Sequence, residues 1–183
     1  GEESTGVALM YMEEGLDTGD MIAARSTKIG RKTTAELHDE LSVMGADILI
    51  KTLPCIEMGI SGRTKQEDSL ATYANMIAKE DELVDFSRPP EEIERLIRGL
   101  NSWPGAYTIY KGERMKLWWA DVLDEKANKP DGTILDVSKS GIKVAAGGRI
   151  LLLKRIQLQG KKAMDVSEYL VGNKIETGGV LGR

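Results

Sequence analysis

The chain has 183 residues, 41% hydrophobic and 30% charged, with a formal net charge of −4; this is ordinary globular composition, long enough for one core or two small ones. No apolar run approaches the roughly 20 residues that cross a bilayer and no secretory leader is visible, so the composition gives no support to an integral membrane role. A single cysteine (Cys55) and a single histidine (His38) exclude an internal disulfide and a clustered zinc site, which points to a reducing, cytoplasmic compartment and away from metal catalysis.

In chain order, the first informative stretch is VALMYMEEGLDTGDMI, residues 7–22. Residues 7–12 and 21–24 have strand-like length and composition, the second run continuing to residue 29. They flank a loop with Gly15, Gly19 and the carboxylates Glu13, Glu14, Asp17 and Asp20. The glycines permit unusual backbone angles that would set Asp17 on a defined turn, where a carboxylate can orient or polarise a partner. An acidic, solvated hairpin loop accounts for the same residues. The triplet Asp17-Thr18-Gly19 also occurs in aspartic proteases, but that chemistry needs two such carboxylates sharing a proton and this sequence has one copy.

Thr33-x-x-Glu36 reads as a capping box opening a helix, with Leu37, Leu41, Met44 and Ile48 at helical spacing and Gly59 as the stop. Pro54 predicts a kink or an end near Leu53. His38 lies beside this stripe, with no partner placed by the local pattern, and receives no role. Residues 61–85 show no sustained apolar period and read as a surface linker, with Tyr73, Met76 and Ile77 anchoring it.

Pro89-Pro90-Glu91-Glu92 suits a helix N-terminus, and Ile93, Leu96, Ile97 and Leu100 supply the apolar stripe that follows. Asn101-Ser102-Trp103-Pro104-Gly105 ends that helix, Trp103 being expected as a core anchor. Short strands follow at residues 106–110, 114–122, 133–137, 142–146 and 149–156, separated mostly by glycine-containing turns. Five short strands with a flanking helix fit a small Greek-key barrel of the oligonucleotide-binding (OB) type, or another small barrel or sandwich. Asp165-x-x-Glu168 opens a last short helix closed by Gly172.

Charge divides the chain. Residues 1–85 carry 8 Lys+Arg against 17 Asp+Glu, giving −9, and residues 86–183 carry 17 against 12, giving +5. A basic half suits an anionic partner, though a modest excess of solvated lysines needs none. Its candidates are Lys139, Lys143, Arg149, Lys154, Arg155, Lys161 and Lys162, the last two beside Gly160, where a phosphate backbone can approach. Strand alternation predicts Lys154 and Arg155 on opposite faces.

Four stretches in order, GVALMYMEEGLDTGDMI, ATYANMIAKEDELVDFS, IRGLNSWPGAY and LQGKKAMDVSEYLVGNKI, are similar to the folate-dependent formyltransferases. The resemblance implies the end of a Rossmann-like α/β catalytic domain (1–62), a linker (63–85) and a C-terminal OB-like tRNA-binding barrel with flanking helices (86–183). It implies transfer of a formyl group from 10-formyltetrahydrofolate to the amino group of methionyl initiator tRNA. Asp17 would be catalytic, with Tyr11, Met12, Gly15 and Leu16 lining the folate pocket; Lys161, Lys162, Lys154 and Arg149 would meet the nucleic acid. No metal is implied. The family's glycine-rich folate loop and its catalytic Asn and His have no counterpart in these residues. The chain is therefore expected to be the C-terminal part of a longer enzyme, a monomer when complete, and inactive by itself. Two other readings share these residues: a nucleic-acid-binding barrel without activity, and a relative of the sugar N-formyltransferases.

Overall fold

The computed structural model describes residues 1–182, which divide into two compact units, residues 2–76 and residues 77 onward.

In the first unit, β1 (Ser4–Met10) and β2 (Met21–Lys28) form an antiparallel hairpin in which Val7 faces Arg25 and Ala8 faces Ala24. The first strand starts before the expected residue 7 and stops before 12, because ladder pairing rather than apolar content sets its ends. Helix α1 (Thr34–Glu57) begins at the expected capping box: the Thr33 hydroxyl accepts from the Glu36 N–H, and the Glu36 carboxylate accepts from the Thr33 N–H at 2.7 Å. The expected stop at Leu53 is not seen. Pro54 lies in the last turn, Met58 N–H still donates to the Pro54 carbonyl at 3.1 Å, and Gly59 follows at φ +67°. A proline so near the end removes one ladder bond without ending the helix.

Polar bonds tie α1 to β2. Arg25 Nη1 donates to Asp47 Oδ2 at 2.5 Å, and Thr27 Oγ1 donates to Glu40 Oε1 at 2.5 Å. Lys32 Nζ bonds the other Glu40 oxygen. Apolar burial is slight: Leu37, Leu41 and Met44 are half-buried, Ile48 is the sole buried hydrophobic of this unit, and Val43, Ile50, Leu53 and Met58 are exposed. At roughly 1.5–3 kcal/mol for each fully buried aliphatic side chain, such a unit draws little stability from a core of its own.

Residues 61–85 contain only short 3₁₀ turns, Asp68–Leu70 and Lys79–Glu82. The expected anchors do not pack: Tyr73 and Met76 are each 95% exposed, and Ile77 is also exposed. An extended segment without a regular period presents no continuous apolar face to bury.

The second unit is built on β3 (Tyr107–Tyr110), β4 (Glu113–Lys126), β5 (Ile134–Ser138), β6 (Gly141–Ala146) and β7 (Arg149–Leu158), with the short β8 (Met164–Asp165) on β7. They form a six-stranded antiparallel sheet in the order β3-β4-β7-β6-β5. The end strands β3 and β5 do not pair with each other; instead the tail bonds to both sides, with Leu181 N–H donating to Gly132 and Gly182 N–H to Ile109, each at 2.9 Å. Helix α2 (Pro90–Gly99) buries the predicted Ile93 and Ile97, and Leu100 beyond its end, in one core with Met115, Leu117, Leu151, Leu153 and Ile156.

Trp103 is not a core anchor: it is 81% exposed, because the sharp chain reversal after α2 puts it outside while Ala106 takes the buried place. Helix α3 (Val166–Tyr169) is a single turn closed at Leu170 rather than Gly172. Asp165 makes no side-chain cap there, and its carboxylate lies 3.7 Å from Arg155.

Candidate functional site

The loop between β1 and β2 is held from two directions. Tyr11 N–H donates to the Asp20 carbonyl at 3.0 Å, closing the neck. The chain then returns after α1, and Met21 and Thr64 exchange two backbone bonds of 2.8 Å. From this returning segment, Gln66 Nε2 donates to the carbonyls of Asp17 (2.8 Å) and Gly19 (2.7 Å). Ser61 meets the Tyr11 hydroxyl at 2.5 Å, and the Arg63 guanidinium stacks 3.9 Å over the Tyr11 ring.

The unusual backbone angle falls on Asp17 itself, at φ +56°, and not on Gly15 or Gly19. Aspartate is among the few non-glycine residues that tolerate this region. Gly19 is needed for a different reason: a Cβ there would stand 1.7 Å from the Tyr11 carbonyl oxygen. The Asp17 carboxylate is exposed and has no hydrogen-bond or ion-pair partner among the described residues. Met12 (94% exposed) and Leu16 (91%) also point away from any packing, and together with Gly15 and Asp17 they line an open cavity of about 270 Å³. Tyr11 contributes to the same wall but is engaged structurally. Sequence reasoning missed Ser61, Arg63 and Gln66, because their contacts span 43 to 56 positions and no local pattern announces them.

The four basic residues named from the sequence do not gather into one patch. Lys161 and Lys162 are adjacent and exposed on the turn after β7, with no ion-pair partner among the described residues. Arg149 opens β7, roughly 30 Å away at about 3.3 Å per residue, where it pairs with Glu91 and lies 3.9 Å from Asp124. Lys154 lies 3.7 Å from Asp121. Lys154 and Arg155 are both exposed, contrary to simple alternation, because the β4–β7 register shifts on either side of Trp119. No helix is long and apolar enough to cross a membrane, and no group of three metal-ligating side chains could hold an ion, among the described residues.

The chain belongs to the formyl transferase family: the pattern of its C-terminal domain, with which the antiparallel-sheet unit is consistent, matches residues 76–174. Over all 183 residues the chain is 50% identical to the methionyl-tRNA formyltransferase of Clostridioides difficile, covering 59% of that protein. It is 46% identical to that of Clostridium beijerinckii, with 96% of this chain and 57% of the relative covered. The chain thus spans a little under three fifths of the length of these curated relatives.

Solved structures at lower identity share the fold. HypX from Aquifex aeolicus, in complex with tetrahydrofolic acid, matches 96% of this chain and 34% of its own at 18% identity and TM-score 0.67. WlaRD, a sugar 3N-formyl transferase, matches 88% of this chain and 57% of its own at 19% identity and TM-score 0.63.

Proposed function

We propose that the protein serves the transfer of a formyl group from 10-formyltetrahydrofolate to the amino group of methionyl initiator tRNA, in the cytoplasm. The observation that carries this reading is the braced Asp17 loop in a chain half identical, over its whole length, to methionyl-tRNA formyltransferases. Residues 1–62 would complete a Rossmann-like catalytic domain, 63–85 would link, and 86–183 would form an OB-like barrel that holds tRNA. The tail bonded to both sides of the sheet supports the barrel description.

Amine attack on the formyl carbon builds an oxyanion that needs donors, and the amine must lose a proton. The Asn and His implied for those tasks would come from the part of the relatives' length that this chain does not span. Asp17 would orient and charge-stabilise that imidazole. Its free, exposed carboxylate suits such a partner. Small-molecule sites commonly enclose about 300–1,000 Å³ and cover most of the ligand, so the open loop cavity fits one wall of a folate site rather than the whole. Exposed Met12 and Leu16 fit the apolar part of that wall, and Gly15 lets a ring approach the backbone.

The same absent portion would cover the exposed apolar side chains of α1, giving a monomer when complete. Lys161 and Lys162, free of carboxylate partners, suit phosphate contact better than Arg149 and Lys154.

The test is formylation of methionyl-tRNA. An enzyme of the relatives' full length should lose about 10²–10⁴-fold in turnover with Asp17→Asn, while tRNA affinity stays within twofold. The 183-residue chain alone should give no turnover. Retained activity in Asp17→Asn would return Asp17 to the role of a solvated loop carboxylate.

A further inference from the structure

The outer side of β3, β4 and β7 carries a second surface that the proposed reaction leaves unused. Along β4, Arg114, Lys116 and Trp118 alternate with buried Met115 and Leu117, so all three stand on the outward face. The ladder sets Lys116 between Tyr107 of β3 and Gln157 of β7. The Arg114 guanidinium stacks 4.0 Å over the Tyr107 ring, and Lys116 Nζ lies 5.5 Å from the Trp118 ring while donating to the Pro104 carbonyl at 2.7 Å. Trp103, the residue before Pro104, is the exposed indole noted above.

These groups are tied to the lysine turn. Trp118 Nε1 donates to Gln157 Oε1 at 3.0 Å, and Gln157 Nε2 donates to the Lys161 carbonyl at 2.8 Å. Gln157 therefore fastens the Gly160-Lys161-Lys162 turn to β4. Between sheet and turn lies a cavity of about 480 Å³ lined by Arg114, Lys116, Gln157, Leu158, Gln159 and Gly160, with two cations and no carboxylate.

We propose that this face is a subsite for one unpaired nucleotide of an RNA strand, with Arg114, Lys116 and the lysine turn meeting its phosphates, Gln159 its base edge, and exposed aromatic surface its ring. The inference rests on the reading that the sheet unit holds tRNA, and specifies which part of the RNA it takes there. The cation-only lining selects a polyanion. Aromatic rings and amides beside those cations add nothing on a duplex exterior, where bases are stacked and paired, but they match a splayed nucleotide offering a π-face and a free edge. Gln157 is a positioning residue, since both ends of its amide are occupied within the protein.

The test uses the whole 183-residue chain and three probes: a fluorescein-labelled 12-residue oligouridine, a 12-base-pair RNA duplex, and uridine monophosphate. The readouts are anisotropy over a salt series and quenching of tryptophan fluorescence. The oligouridine should bind at least tenfold more tightly than the duplex and quench the tryptophans. Arg114→Gln and Lys116→Met should each weaken it about 3–10-fold and flatten the salt slope by about 0.7 for each phosphate no longer neutralised. Trp103→Ala should weaken it by about fivefold or more, and Gln157→Leu should reproduce the loss seen with Lys161→Ala/Lys162→Ala.

Arg114→Lys guards against misfolding: it should keep the salt slope while losing affinity, with an unchanged melting curve. Equal binding of duplex and single strand, with only the lysine pair mattering, would overturn this subsite and leave the tRNA reading standing. Uridine monophosphate binding as tightly as the 12-mer would overturn the strand and make this a free-nucleotide pocket. If neither RNA binds, both readings fall.

Discussion

Substitution of Gly19 by alanine offers a sharp test of how the Asp17 loop is held. An added Cβ would lie 1.7 Å from the Tyr11 carbonyl oxygen and 2.7 Å from its carbon, both backbone atoms that cannot rotate away. The loop neck must open, which breaks the 3.0 Å bond from Tyr11 N–H to the Asp20 carbonyl and pulls the Gly19 carbonyl from Gln66, now 2.7 Å away. Two bonds at a net ~1 kcal/mol each give about 2 kcal/mol of local destabilisation, or roughly a 30-fold rise in the open population. Hydrogen exchange at the Tyr11 amide should accelerate by about that factor.

Gly15→Ala is the control. Its Cβ would meet only side-chain atoms of Thr18, Oγ1 at 2.6 Å and Cγ2 at 2.8 Å, and a small shift of that exposed residue relieves the contact without opening the neck. It should change exchange by less than about threefold. All three tryptophans, Trp103, Trp118 and Trp119, lie in the second unit, so a tryptophan-detected melt should be the same for both variants. Unchanged Tyr11 exchange in Gly19→Ala, or equal effects of the two alanines, would refute the close-approach account of this glycine.

Three further outcomes can be checked. Acid should loosen α1 from β2. The Glu36 carboxyl is held below its ordinary 4.5 by the Thr33 N–H and hydroxyl, Glu40 by Lys32 and Thr27, and Asp47 is held below 3.8 by Lys51 and Arg25. A carboxylate with a lowered folded value contributes stability above its unfolded value and loses it as pH falls through the folded one. Helical circular dichroism should therefore decline as pH drops from about 5 toward 2, and flat helicity across that range would count against the polar attachment. Thr33→Ala removes the cap hydroxyl of α1 and should lower that unit's stability by about 1 kcal/mol, read as faster exchange in the first helical turn. Protection equal to the parent would show the cap to be dispensable. Thr108→Val should leave the tryptophan-detected melt unchanged or raise it. The Thr108 hydroxyl is buried without a hydrogen-bond partner among the described residues, and an isosteric methyl avoids the cost of desolvating it. A clear drop in melting temperature would reveal a bond made by that hydroxyl.

The sequence by itself determined what depends on near neighbours. The Thr33–Glu36 capping box, the stripe of Ile93 and Ile97, and the run of short strands between glycine-containing turns were legible because helix, strand and turn signals act over a few residues. The Asp17 loop was legible as a loop for the same reason, and it was the ordered set of four stretches, this loop among them, that resembled a family. The tertiary structure alone decided what occupies the space around those elements. Trp103 looked like core by composition, yet the reversal after α2 turned it to the surface. The Lys154–Arg155 alternation failed because irregular pairing with β4 is a property of two strands. Arg149 and Lys161 read as one basic set but stand at opposite ends of β7. Gln66 and Gln157 carried no local signal, since their meaning lies in carbonyls and an indole that folding brings to them. Periodicity encodes which face a residue takes, whereas a hydrogen bond across distant segments exists only once both have been placed.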